Sequence, residues 1–129
     1  MPAYLSPAWL SALQDAADSS PNLRDATTGM HLVVQQVVTG GPDGDVAYHV
    51  VVDDGNTSVR AGRADDPTIT FTQDRDTARA VSRGELSAQG AFMAGRIRVR
   101  GDLPALVAQQ DALLRVDDVF ASVRGTTEY

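Results

Sequence analysis

The stretch from Met30 to Asp53 constrains the fold more than any other part of the chain. Met30, Leu32, Val34, Val38, Val46, Tyr48, Val50 and Val52 all fall on even numbers. Side chains alternate across a strand, so residues two apart share a face. Between the two runs lies Gly40-Gly41-Pro42-Asp43-Gly44, rich in residues that favour turns. The segment therefore reads as a hairpin of two Val-rich strands, Met30 to Thr39 and Val46 to Asp53, with its even face toward the core. The odd face mixes His31, Gln35, His49 and Asp53 with Val33, Val37 and Val51, and is expected to point outward.

Other elements follow on either side. Ser6-Pro7 is a capping hydroxyl followed by proline at the first helical position. Leu5, Trp9, Leu10, Leu13 and Ala17 then recur at helical spacing, so a helix is expected to run to about Asp18. Ser19-Ser20-Pro21-Asn22 reads as a turn. After the hairpin, Asp54-Gly55-Asn56 reverses the chain into a short strand, Thr57 to Ala61. Thr68 to Thr72 alternates as a half-buried strand. These four strands are expected to form an antiparallel run, at least through their hairpins. Asp74 caps a helix to Arg83, and a short helix spans Ser87 to Ala94. In Arg96 to Arg100, Ile97 and Val99 alternate with three arginines that point outward. Asp102 caps a last helix whose apolar face holds Leu103, Leu106, Val107, Leu113 and Leu114, and Asp117 restarts it. The class read from the residues is α+β, with helices on one face of a mostly antiparallel sheet.

Composition narrows the chemistry. The 129 residues fit a single domain, 1–129, and 43% of them are hydrophobic. With no cysteine, disulfides, zinc-cysteine sites and thiol nucleophiles are excluded. All 11 basic residues are arginine, against 17 acids, for a net charge of −6. This composition reads as that of a GC-rich bacterial gene. The acidic total argues against nucleic acid, which needs clustered positive charge. The charge is unevenly placed, however. Residues 1 to 59 hold all of the net −6, and residues 75 to 100 carry six arginines against Asp76 and Glu85. No signal peptide or membrane-length apolar run is visible, so a cytoplasmic location is expected.

Residues 65 to 102 carry a recognisable order of motifs. They run from Asp66-Pro67-Thr68-Ile69 through Arg83-Gly84-Glu85-Leu86 and Ala91-Phe92-Met93-Ala94-Gly95 to a short basic strand ending Gly101-Asp102. This pattern closely resembles the sterol carrier protein type 2 family of lipid-transfer domains, over residues 60 to 116. The resemblance implies a five-stranded sheet covered by helices on one face, enclosing an apolar tunnel for fatty acyl chains, sterols or similar lipids. It implies a non-catalytic carrier with no cofactor and no metal. On that footing the ligand-binding residues are Phe71, Leu86, Gln89, Phe92, Met93 and Phe120, with Tyr48 and Val50 from the hairpin. Burying a lipid chain yields about 0.8 kcal/mol per methylene, so a dry tunnel supplies affinity by itself. Small residues such as Ala91, Ala94 and Gly95 leave room, and Met93 offers an adaptable wall. Gln89 is placed to meet a lipid head.

Competing chemistries are weaker. His31 and His49 lack the partners of a metal site and fall on the outward face. No Gly-x-Ser-x-Gly elbow supports a hydrolytic triad, and no lysine is available for a phosphate loop. Asp43-Gly44-Asp45 and Asp53-Asp54-Gly55-Asn56 fall short of a calcium loop and read as turns. Asn56-Thr57-Ser58 has the form of a glycosylation sequon and sits in a turn. Arg75, Arg79 and Arg83 form one stripe at helical spacing, which either solvates the surface or draws an anionic head group or membrane. The sequence reading is thus a carrier of a hydrophobic small molecule. Its rival is an enzyme or biosynthetic accessory acting on an apolar substrate in the same cavity through Tyr48, Gln36, Gln89 or Ser87. A third reading is an interaction module with a filled core. Ligand identity, oligomeric state and partner enzymes are not legible in the residues.

Overall fold

A computed structural model of the chain describes residues 4–41, 44–109, 115, 119, 123 and 127. The elements in order are α1 (Pro7–Asp18), α2 (Pro21–Ala26), β1 (His31–Gly41), β2 (Gly44–Asp53), β3 (Asn56–Ala61), β4 (Ile69–Asp74), α3 (Arg75–Ser82), α4 (Ala88–Met93), β5 (Ile97–Gly101) and α5 (Leu103–Ala108). Helix α1 starts as its sequence dictates: the Ser6 hydroxyl accepts from the Trp9 amide at 3.2 Å, with Pro7 in the first turn. Ser20 and Pro21 repeat the same arrangement, with Ser20 Oγ accepting from the Leu23 amide. Here the expected turn is a short helix, because six residues are too few to show a helical period.

The five strands form one mixed sheet in the order β3-β2-β1-β4-β5. Strands β1 and β2 pair antiparallel in the register Leu32 with Val52, Val34 with Val50 and Gln36 with Tyr48. The β2–β3 turn places Asp54 and Gly55 at φ 45° and 87°. Positive φ at both central residues is what a tight hairpin of this twist demands. The expected antiparallel run holds only through β3. Strand β4 does not extend it beyond β3; it lies parallel to β1, pairing Val34 with Ile69 and Gln36 with Phe71. Residues 62 to 68 carry the chain across. Three strand spacings are about 14 Å, well within the reach of seven residues. Strand β5 closes the other edge, antiparallel to β4.

Register decides which side chains share a face. Leu32, Val34, Val38, Val50 and Val52 are buried on one side, as the even-number pattern predicts. Pairing carries this face onto the odd residues of the other strands: Val59, Ile69, Phe71, Ile97 and Val99. Helix α1 covers it with Trp9, Leu10 and Leu13, and α3 with Ala78. The opposite face is less open than the sequence suggests. Gln35 and Val37 are 5% and 4% exposed there. Their strand is central, and the crossover lies against it: Gln35 Oε1 accepts from the Ala64 amide at 2.8 Å, and the Val33 amide donates to Thr68 Oγ1 at 3.0 Å.

Two contacts fix the edges. Gln14 of α1 acts as a surrogate strand against β3: its Nε2 donates to Thr57 O at 2.9 Å, and its Oε1 accepts from the Val59 amide at 2.7 Å. Gly101 ends β5 at φ 119°, where a Cβ would collide with Thr68 O. Only glycine fits that join. Arg98 and Arg100 are exposed and Ile97 is buried, as their alternation predicts. Helix α5 departs from its expected apolar packing: Leu103 and Val107 are 50% and 69% exposed, and the helix buries no residue. Of its expected continuation, Arg115, Val119 and Val123 are among the described residues: Arg115 is exposed, Val119 packs beside the sheet and Val123 is buried in a cluster with Trp9 and Leu10. Among the described residues no helix is long and apolar enough to cross a membrane.

Candidate functional site

The space between sheet and helices is organised as two apolar clusters rather than one. The first joins Tyr4, Leu5, Trp9, Leu10, Leu13, Val38, Ala78 and Val123. The second joins Ala17, Leu23, Leu32, Val34, Val50 and Val52. Tyr48 and Val59 pack against both. Tyr48 does so through an edge-on contact with Trp9, their ring centroids 5.6 Å apart at 85°. Trp9 in turn meets Tyr4 edge-on at 4.9 Å. Such T-shaped pairs match the positive edge of one ring to the negative face of the next.

A polar pair is set into this same face. Gln36 sits in register between Tyr48 on β2 and Phe71 on β4. Gln73, one pleat further along β4, lies between Val38 and Ile97. The Gln73 amide nitrogen donates to Gln36 Oε1 at 3.0 Å. The sheet therefore presents a row of Tyr48, Gln36, Phe71 and Val99, with Gln73 beside it. Each of these side chains is half-buried. Gln73 was absent from the residues singled out by sequence. Its signal was present nonetheless: the alternation of Ile69 and Phe71 continues onto it, which puts an amide at a core position.

The other residues expected to bind ligand are distributed as follows. Val50 is buried, in the second cluster. Leu86 is half-buried in the turn before α4, its amide donating to Ala80 O. Ser87 caps α4 by accepting from the Gly90 amide at 2.9 Å. Gln89 lies in α4, and its side chain is outside the described set, as is Phe120. Phe92 and Met93 lie at the end of α4 and are 54% and 78% exposed. The structure thus brings Tyr48, Val50 and Phe71 onto one face and leaves Phe92 and Met93 at the surface.

The arginine stripe has local partners. Arg79 pairs with Asp76 and Arg83 with Glu85, each at 3.3 Å. Arg75 lies over the Tyr4 ring at 6.0 Å. Arg96 Nε donates to Thr77 Oγ1 at 3.1 Å. Asp74, which caps α3, accepts from the Thr77 backbone amide at 2.7 Å, and this bond holds its carboxyl below the usual range. His31 lies 3.6 Å from Asp53, both exposed, and His49 Nδ1 meets Gly62 O at 2.9 Å. Among the described residues no group of three acids or histidines is placed to hold a metal ion.

A separate cleft of about 240 Å³ opens between α1, α2 and the β2–β3 turn. Gln14, Arg24, Asn56 and Thr57 contribute to its lining, so its walls are largely polar. It does not coincide with the half-buried apolar row.

Comparison with known proteins places this architecture. The crystal structure of sterol carrier protein 2 superimposes with a TM-score of 0.76 and 21% identity, covering 92% of this chain and 97% of that one. A conserved protein of Thermus thermophilus gives 0.74 and 21%, covering 92% and 88%. The palmitated sterol carrier protein 2-like 2 of Aedes aegypti gives 0.58 and 20%, covering 82% and 89%. At such identities the likeness concerns the fold. A sequence search among curated proteins finds no match. A family model does match, over residues 10–114, which span α1 to α5 and every strand of the sheet. The chain belongs to the SCP-2 sterol transfer family.

Proposed function

We propose that this chain is a non-catalytic carrier that buries a lipid or similar hydrophobic molecule between the core face of its sheet and the covering helices. The observation that carries the reading is the family match over residues 10–114. The geometry is consistent with it. Phe71, Tyr48 and Val99 remain half-buried on the face between two apolar clusters, where a fully packed core would enclose them. The relative from Aedes aegypti was solved in palmitated form, which favours an acyl chain or a body of like shape. Tyr48, Val50, Phe71 and Leu86 are assigned to the ligand wall, with Gln89 and Phe120 as further contacts. Phe92 and Met93, at the surface, act at the rim where the ligand enters. The single domain, 1–129, works in the cytoplasm by reversible burial. Arg75, Arg79 and Arg83 offer secondary attraction to an anionic head group, weakened by their existing partners.

Native mass spectrometry of the purified chain tests this, followed by titration of the lipid-free protein with fatty acid, sterol and polyketide-like probes. A co-purifying hydrophobic molecule and saturable 1:1 binding without turnover are expected. Absence of binding at micromolar concentration for every probe refutes the carrier reading, and turnover of a bound probe favours the cavity enzyme.

A further inference from the structure

One glutamine on the core face has an acceptor with no partner. Gln73 Oε1 is sealed from solvent and receives no hydrogen bond. The other end of the same amide is committed, since its Nε2 donates to Gln36 Oε1. Register places Gln73 beside Val38 and Ile97, which are 2% and 6% exposed. Neither offers a donor. Gln36 is flanked by Tyr48 and Phe71. The amide pair therefore lies on the face where the two apolar clusters approach each other.

Leaving a buried acceptor unmade destabilises a fold, and native cores seldom do so without a reason. An apolar residue at position 73 would continue the pattern of Ile69 and Phe71 at no such cost. The amide instead offers a fixed carbonyl oxygen inside an apolar wall. To turn its N–H outward, the side chain would have to give up its donation to Gln36 Oε1, and Gln36 would have to turn with it to restore a bond.

We propose that Gln73 Oε1 accepts a hydrogen bond from the ligand, so that this carrier selects neutral lipids bearing a hydroxyl donor over fatty-acid anions. The inference rests on the carrier reading above and adds the polarity of the ligand head. A lipid alcohol fits the surroundings on both counts. Its hydroxyl supplies the missing donor, and its apolar body meets the half-buried Phe71 and Val99. A carboxylate has no donor and would set a second negative oxygen against the carbonyl dipole.

The test uses the full chain stripped of lipid. Hexadecanol, its methyl ether and palmitate compete at pH 8 against one fluorescent acyl probe. Hexadecanol is expected to bind about five- to tenfold more tightly than either of the others, the worth of one net hydrogen bond. In Gln73→Leu that preference falls below about twofold while the ether binds as before. This variant also strips Gln36 of its partner. The double variant Gln36→Leu/Gln73→Leu removes both polar groups, keeps the core apolar, and is expected to lose the preference equally. Equal binding of alcohol and ether by the parent chain overturns the inference, as does a preference for the ether. So does a preference for alcohol that survives in the folded double variant. Failure of all three lipids and the acyl probe to bind, together with the sterol and polyketide-like probes, overturns the carrier reading itself, which is a distinct result.

Discussion

Replacing Gln14 by alanine tests how the first helix is held to the sheet. In the intact protein this one amide makes two bonds to the exposed edge of β3, at 2.9 and 2.7 Å, and a third to Asp18 at 2.9 Å within its own helix. The first two bridge residues 43 and 45 positions apart, so they close a long loop. Each net hydrogen bond contributes about 0.5–1.5 kcal/mol. Gln14→Ala also orphans the Val59 amide and the Thr57 carbonyl, which are only partly exposed to water. A loss of about 2 kcal/mol follows, roughly a thirtyfold fall in the folding constant. With a urea m-value of about 2 kcal/mol/M, the midpoint drops by about 1 M. Native-state hydrogen exchange supplies the local readout. The Val59 amide should lose protection beyond the global loss, whereas the Val34 and Val50 amides of the central hairpin should follow global stability alone. A midpoint shift below about 0.2 M with Val59 still protected would refute the idea that this side chain completes the sheet edge.

Other perturbations have equally definite outcomes. Leu32 is 1% exposed in the second cluster, so Leu32→Ala is expected to cost about 2–5 kcal/mol in denaturant unfolding. Gly101→Ala forces a Cβ onto Thr68 O at positive φ and should lower thermal stability well beyond the effect of an exposed substitution such as Leu103→Ala. Asp74→Ala removes the cap of α3 at a cost of about 1 kcal/mol at neutral pH. Because the folded carboxyl of Asp74 is held below its ordinary value of 3.8, its contribution is full above that value and disappears as pH falls through the lower folded value. The stability gap between parent and Asp74→Ala should therefore close in acid, as pH-dependent urea titrations will show. Phe92→Ser should leave stability within about 0.5 kcal/mol, since Phe92 is more than half exposed, while slowing probe uptake if the residue forms the rim.

The elements themselves were legible because each rests on local physics. Ser6, Asp74 and Asp102 cap helices where their side chains predict it. The even positions of the hairpin form a core face because two strands in register keep a period of two. The same reasoning explains what was missed. Helix α2 is too short for periodicity to register, although Ser20-Pro21 repeats the signature of α1. The motifs of residues 65 to 102 pointed to the family but said little about placement, and Phe92 and Met93 turned out to lie on the surface side of α4. Gln36 figured among the polar groups of the rival enzyme reading. Gln73 did not, because its significance lies in its pairing with Gln36, a residue 37 positions away.

Local sequence thus determined which segments are strands and helices, where they cap and turn, and which face of the hairpin is apolar. These properties depend on neighbours within a few residues, and a single chain reports them directly. Tertiary structure alone decided that β4 lies parallel to β1, that Gln14 closes the β3 edge, and that two glutamines meet within the core face. Each of these joins residues about 35 or more positions apart. Such contacts are selected by the packing of the whole sheet against its helices, and no local pattern encodes them.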